Sequence, residues 1–203
     1  MIEMERKEYS AGAVKLSFWF IEFRKVVELL NKGESTDRIK LLALNENLFA
    51  APTTLRAKQI YHTVTGRIKA LDKSFIPLFV SSDLATQKLF ALIAAMAYDT
   101  LFFDFVYEVI REKMILGSND LADSDVRVFF KDKQQQNEKA AGWTDATLVR
   151  LGRSYKTMLY EAGVIDKAKT ARKILRPILD PELKRWLEQN DMGVYVKALA
   201  GVR

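Results

Sequence analysis

The chain has 203 residues, 49% of them hydrophobic and 29% charged, and its formal net charge is +6. This length and composition favour a globular protein with one sizeable core or two small ones, and they argue against disorder. The absence of cysteine excludes disulfides and thiolate metal sites, and the single histidine, His62, excludes a zinc site built from histidines. We therefore expect no metal and no cofactor, and the cysteine-free composition fits the cytoplasm.

The basic residues are concentrated in two blocks. Residues 127–176 carry twelve Lys and Arg against five Asp and Glu, and residues 37–69 carry six against two. The intervening residues 70–126 are acidic, with four basic and nine acidic side chains. A basic excess confined to two blocks favours a polyanion as the binding partner.

The N-terminal part of the chain predicts three helices. The charged first nine residues do not resemble a signal peptide, and apolar residues spaced by three and four predict a helix over 11–31 that stops near Gly33. Ser35 is suited to cap a second helix, and a third is expected over 53–71. Together, residues 35–71 are helix-turn-helix-like, with basic residues outward or on the flanks of the later helix: Arg56, Lys58, Arg67 and Lys69.

The middle of the chain is strongly apolar. Residues 73–80 form a short apolar segment broken by Pro77, and residues 84–116 are hydrophobic enough to resemble a membrane span. Asp99 and Asp104 argue against a span, because an aspartate near a bilayer centre costs roughly 2.5–3.5 kcal/mol on insertion scales. We expect one or two buried helices that form the hub of the fold, and no membrane partner.

The C-terminal part has the order expected of a winged helix. A break at 117–120 predicts a boundary between an N-terminal domain, 1–118, and a C-terminal domain, 119–203. Asp123 or Ser124 is expected to cap a helix that runs through Gln136. A second amphipathic helix is predicted from Thr144 to a glycine stop at 163, followed by a β-prone run, although the connector between the helices is longer than in a minimal helix-turn-helix. The outward and flanking side chains are Arg150, Arg153 and Lys156, and the basic connector carries Lys167, Lys169, Arg172 and Lys173.

The sequence contains no convincing catalytic constellation. There is no glycine-rich phosphate loop and no G-x-S-x-G nucleophile elbow. Asp99 and Asp104 would lie about 140° apart around a helix, and the acidic residues at 120, 123 and 125 are better explained by helix capping than by a cation. We therefore expect a protein that is not an enzyme, the alternative being a metal-dependent phosphodiesterase with scattered carboxylates.

Three stretches carry a resemblance to a known family. They are YSAG with SFWFIEFRKVVELLNKGES, then NENLFAAPTTLRAKQIYHTVTGRIKAL, then GWTDATLVRLGRSYKTMLYEAGVI, and in this order they resemble the BrxA family. The resemblance implies a component of the bacteriophage exclusion (BREX) defence system. It also implies an all-helical core similar to the antitermination protein NusB, helix-turn-helix-like elements and binding of double-stranded DNA.

These observations together predict an all-α protein with at most a short β wing. We expect it to bind duplex DNA mainly through phosphates, and other BREX proteins are possible partners. A protein-interaction scaffold built on the acidic, aromatic middle remains an alternative, and so does an RNA-binding module, which is less favoured. The expected nucleic-acid contacts are Arg150, Arg153, Lys156, Lys167, Lys169, Arg172 and Lys173, with Arg56, Lys58, Arg67 and Lys69 extending the track.

Overall fold

The computed structural model describes residues 7–168 and 171–202, and in this part of the chain the fold is all-α. Several helices, such as α8 and α10, begin and end close to the predicted positions, and a two-stranded sheet is the small β component. In chain order the elements are α1 (Phe20–Asn31), α2 (Thr36–Asn45), α3 (Thr54–Lys69), α4 (Phe75–Ser81), α5 (Leu84–Tyr98), α6 (Thr100–Phe105), a π-helical segment (Val106–Arg111), α7 (Glu112–Ile115), β1 (Asp120–Ala122), α8 (Asp123–Gln136), α9 (Glu138–Ala141), α10 (Asp145–Glu161), β2 (Ala171–Lys173), α11 (Pro181–Gln189) and α12 (Gly193–Ala200).

Helix α5 is the hub that the sequence predicted. Its residues from 89 to 96 are all buried, because α1, α3, α4 and α10 pack around it. A helix surrounded in this way needs apolar side chains on every face, which explains why this stretch resembles a membrane span. Among the described residues, no single helix is long and apolar enough to cross a membrane.

The chain turns sharply at Asp99, between α5 and α6. The carboxylate of Asp99 caps α6 by accepting from the backbone N–H groups of Leu101 and Phe102, at 3.1 and 3.2 Å. The chain bends by 115° there, and α6 continues through the π-helical segment into α7. The cap satisfies two of the backbone donors that lack intrahelical partners at the start of α6, and so it stabilises the bend.

Two predicted elements are corrected. The first helix begins at Phe20, not at 11, because Trp19 adopts the left-handed conformation (φ 51°) and interrupts helical hydrogen bonding. The preceding chain forms a short 3₁₀ helix, Gly12–Lys15, that packs against α10.

In the second correction, the segment around Pro77 is helical. Pro77 lies in the first turn of α4, where a proline is tolerated because the backbone N–H groups there lack intrahelical partners.

The C-terminal helices return to the N-terminal half. Trp186 of α11 lies edge-on to Phe75 and Phe90, with ring centroids 6.3 and 5.7 Å away, and α12 packs on the π-helical segment. One apolar cluster therefore contains residues from both sides of the predicted boundary at 118. The division into two domains stays a prediction.

A buried polar cluster joins α8 to α6 and the π-helical segment. Lys133 of α8 is buried, and its ammonium lies 2.7 Å from Glu108 and 3.9 Å from Asp104. Tyr9, near the N-terminus, donates a hydrogen bond to Asp104. These contacts hold α8 and the N-terminal segment against α6 and the π-helical segment, and so they fix the position of α8.

Candidate nucleic-acid interface

Residues 120–175 form a helical pair flanked by a small β-sheet. Strand β2 pairs antiparallel with β1, placing Arg172 opposite Leu121 and Lys173 opposite Asp120. On its other side, the chain at 173–175 pairs with 164–166, through Asp166 N–H to the Lys173 carbonyl at 3.0 Å and Leu175 N–H to the Val164 carbonyl at 2.8 Å. The order is therefore β1, α8, α9, α10 and then a hairpin whose second arm contains β2 and pairs with β1.

Helix α10 has the predicted boundaries for the predicted reasons. Thr144 caps it by accepting from the Thr147 N–H at 3.2 Å, and Gly163 follows its C-terminus at φ 82°. Its apolar face is buried against α5, α8 and the 3₁₀ helix. Arg150 and Arg153 are exposed on the outward side. The helix therefore presents two arginines to solvent immediately before the hairpin.

The hairpin carries the second group of predicted contacts. Lys167 and Lys173 are exposed and Arg172 is partly exposed, whereas Lys169 lies outside the described residues. The Asp166 carboxylate accepts hydrogen bonds from the N–H groups of Ala168 and Lys173, at 3.1 and 2.9 Å. The bond to Lys173 ties the first arm of the hairpin to the second. Asp166 therefore has a structural role in the hairpin, and its negative charge offsets only part of the positive charge of the surrounding lysines and Arg172.

Lys156 is less available than the sequence indicated. Its ammonium lies 2.5 Å from the carboxylate of Asp123, the first residue of α8, and its side chain is only 15% exposed. The hydrogen bond from Lys156 lowers the pKa of Asp123, and the nearby charges of Arg127 and Arg172 lower it further. Side chains from α8, α10 and the hairpin thus converge on one carboxylate.

The basic residues of α3 divide into two kinds. Lys58 and Lys69 are exposed, as predicted. Arg56 is half-buried, with its guanidinium 4.8 Å from the centre of the Trp19 ring and 2.7 Å from the Gln59 side-chain oxygen. None of the described contacts joins Lys58 or Lys69 to α10 or the hairpin, so a shared surface stays a prediction.

Arg67 is a correction to the predicted interface. Its side chain is 3% exposed, and its guanidinium donates to the Phe18 carbonyl at 2.6 Å and contacts the Met158 sulfur at 3.7 Å. Burial lowers the pKa of Arg67 to about 10, although the charge of Asp99 acts in the opposite direction. Arg67 therefore joins α3 to the N-terminal segment and α10, and it does not face a partner.

Sequence reasoning missed two basic residues of α8. Arg127 and Lys131 line a groove of about 370 Å³ between α8 and α10, facing Arg153 and Lys156. The two residues are four apart, which places them on one side of a helix, and this spacing was the available signal. The groove adds α8 to the basic surface that α10 and the hairpin present.

Asp123 and Asp125, at the start of α8, have structural partners. Asp125 accepts from the Ala122 N–H at 2.7 Å, so the N-cap residue is Ala122, not Asp123 or Ser124 as predicted. Asp125 also lies 2.9 Å from the Lys113 ammonium. No cluster of three or more potential metal ligands occurs within residues 7–168 and 171–202.

Comparison with known proteins gives consistent matches over most of the chain. The sequence profile of the BrxA family matches residues 7–191. A BREX protein BrxA from Bacillus cereus (strain H3081.97) is 38% identical over 182 residues, which are 90% of this chain and 91% of that protein. A BREX protein BrxA from Escherichia coli O9:H4 (strain HS) is 22% identical over 182 residues, 90% of this chain and 85% of that protein. The crystal structure of an uncharacterized protein from Magnetospirillum magneticum has the same fold, with a TM-score of 0.81, 18% identity and coverage of 96% of this chain and 100% of that one.

Proposed function

We propose that this chain, which belongs to the BrxA family, is a component of a BREX phage-defence system that binds double-stranded DNA without catalysing a reaction. The observation that carries the DNA-binding proposal is the placement of two outward arginines on α10 directly before a basic hairpin. In helix-turn-helix proteins the second helix enters the major groove, and cationic side chains around it contact phosphates. In this proposal α10 corresponds to the second helix, and the hairpin lies beside it.

Each group of side chains has a different expected role. Arg150 and Arg153 project from α10, so they lie in or beside a groove of the duplex, where guanidinium groups bind base edges or phosphates. Lys167 and Lys173 on the hairpin contact the phosphates. Lys156 and Arg172 supply positive charge near α8, where Asp123 offsets part of it.

The test is fluorescence anisotropy of a labelled duplex with the parent protein and the Arg150→Ala/Arg153→Ala variant. We expect the variant to bind at least tenfold more weakly, because each lost guanidinium contact is worth about 1–3 kcal/mol. A matched control is Lys184→Ala/Lys197→Ala, which removes two exposed charges from α11 and α12. Equal weakening of both variants would indicate a general charge effect and contradict the assignment to α10.

An RNA-binding role would use many of the same basic residues. Competition between unlabelled duplex DNA and a structured RNA of equal length distinguishes the two ligands. We expect the DNA to displace the labelled duplex at lower concentration, because α10 fits the open major groove of B-form DNA and not the deep, narrow one of A-form RNA. Stronger displacement by the RNA would favour the RNA-binding alternative.

The scaffold alternative relies on the acidic, aromatic middle of the chain. Of the six aromatic side chains between 84 and 116, Phe90, Phe102 and Phe105 are each 0% exposed, whereas the other three are partly exposed. A scaffold would use those three and the exposed acidic residues to hold its partners.

A further inference from the structure

The groove between α8 and α10 has two matched walls. Residues 123, 126, 127, 130 and 131 of α8 form one wall, and residues 145, 148, 149, 152, 153 and 156 of α10 form the other. Both sets follow the three-and-four spacing of a single helix face. The helices approach closely at Gly152, where an added Cβ would lie 2.7 Å from the Val126 side chain.

Ion pairs close the two ends of the groove. At one end Lys156 lies 2.5 Å from Asp123, and at the other Lys131 lies 3.2 Å from Asp145. The pairing of the start of each helix with the later part of the other shows that the walls run antiparallel. At 1.5 Å per helical residue the groove is roughly 12–16 Å long, which accommodates about four extended residues.

The centre of the groove has an unmatched positive charge. Antiparallel walls place Arg127 opposite the turn that contains Arg153. No ion pair joins either guanidinium to a carboxylate of the described residues, although Asp123, one turn before Arg127 and paired with Lys156, is near enough for the charge of Arg127 to lower its pKa. Two like charges across a narrow groove repel each other, and an anion between them would remove the repulsion and accept bidentate hydrogen bonds from both.

The floor of the groove is apolar. Val126, Phe130 and Leu148 form it, and Val149 remains 51% exposed at its edge. A nucleic-acid backbone has only its sugar carbons to cover this floor and no apolar side chain that could enter the groove. A peptide with a carboxylate next to an apolar side chain matches both features, because the apolar group enters the groove while the carboxylate reaches the arginines.

We infer that the α8–α10 groove binds a short acidic peptide segment of a partner protein, with an apolar side chain on Phe130 and Val149 and a carboxylate between Arg127 and Arg153. Charge complementarity and the apolar floor together favour this occupant, since an anion balances the central arginines and an apolar side chain covers the floor. The inference can be tested without DNA, because the groove is present without nucleic acid. Arg153 belongs to both proposed surfaces, so peptide and DNA would compete for this side chain.

The experiment titrates the whole protein into a fluorescein-labelled eight-residue peptide that alternates glutamate with leucine, without nucleic acid. Two matched peptides replace leucine with serine, or glutamate with glutamine. We expect saturable binding of the first peptide and at least tenfold weaker binding of each matched peptide, because hydrogen bonds to charged groups and buried leucines each contribute more than the 1.4 kcal/mol that a tenfold change requires.

Variants locate the peptide on the protein. Arg127→Gln/Arg153→Gln and Val149→Ser should each weaken the glutamate–leucine peptide at least fivefold, whereas Lys58→Gln/Lys69→Gln, on exposed positions of α3, should not. All positions are exposed, and thermal melts establish that each variant is folded. The inference is overturned if the peptide does not bind, if the serine-substituted peptide binds equally, or if the α3 variant weakens binding as much as the groove variants.

Discussion

Asp123 and Lys156 form an ion pair that joins α8 to α10, with the carboxylate 2.5 Å from the ammonium. Asp123 occupies a place that would otherwise suit an anionic ligand, because Arg127 and Arg172 also act on its carboxylate. The pair therefore reduces the positive charge of the proposed DNA-binding surface when the protein is free. A phosphate arriving at this surface competes with Asp123 for Lys156.

Substitution Asp123→Asn should strengthen DNA binding. Removing the carboxylate releases Lys156 and removes repulsion between Asp123 and phosphates, so we expect about two- to fivefold tighter binding, the scale of an exposed ion pair. Anisotropy of a labelled duplex measures the change at constant salt. Glu34→Gln, at an exposed position between α1 and α2, is the control for a change of one unit in net charge. Weaker binding by Asp123→Asn would mean that this end of α8 does not face the DNA.

Substitution Arg67→Met should destabilise the fold while leaving the DNA affinity of the folded protein unchanged. The change removes the hydrogen bond to the Phe18 carbonyl and leaves the largely buried Asp99 without its nearby cation. Loss of a buried hydrogen bond from a charged group, which leaves the Phe18 carbonyl unpaired, costs about 1.5–3 kcal/mol. Urea denaturation followed by circular dichroism measures the free energy of unfolding.

Lys69→Met provides the comparison for Arg67. Lys69 is exposed two residues further along the same helix, and its loss should change the free energy of unfolding by less than about 0.5 kcal/mol. If Arg67→Met were as stable as Lys69→Met and bound DNA more weakly, Arg67 would be a ligand contact after all.

Asp99 gives the stability a specific pH dependence. Burial raises the pKa of Asp99 to about 6, although hydrogen bonds from Phe102 and Leu101 and the charge of Arg67 lower it. A carboxyl whose pKa is higher in the folded state favours the fold when protonated, and this contribution is lost as pH rises through about 6. Relative to Asp99→Asn, the parent should therefore lose about 2–3 kcal/mol of stability between roughly pH 4 and pH 7.

The comparison with Asp99→Asn isolates this one group from other carboxylates. Hydrogen bonds lower the pKa of Asp72 and Asp83, so their contributions run in the opposite direction, but they are the same in both proteins. Denaturation at several pH values gives the difference in free energy of unfolding. A difference independent of pH would show that Asp99 titrates in its ordinary range in the folded protein.

Features set by neighbouring residues were predictable from the sequence. The cap at Thr144 and the stop at Gly163 define α10, and both depend on side chains and conformations within one helical turn. Helical spacing likewise identified Arg150 and Arg153 as outward. The all-α fold and the exposed hairpin lysines followed from the same local signals.

Features set by distant residues were not predictable. Arg67 has the spacing of a flanking surface residue, and it is buried because the Phe18 carbonyl, 49 positions earlier, accepts its hydrogen bond. Strand β1 has only three residues, too few for a periodic pattern, and it exists because β2 pairs with it about fifty residues later. Arg127 was overlooked as a site residue because its relation to α10 is a property of packing between helices.

The salt dependence of duplex binding by a hairpin variant tests the central claim most directly. Lys167→Gln/Lys173→Gln removes two exposed charges from the hairpin and leaves the backbone contacts of Asp166 in place. If both lysines contact phosphates, the slope of log affinity against log salt should become less steep by about 1.8, since each contact contributes about 0.9. An affinity that is unchanged, or one that falls with no change in slope, would contradict phosphate binding by the hairpin.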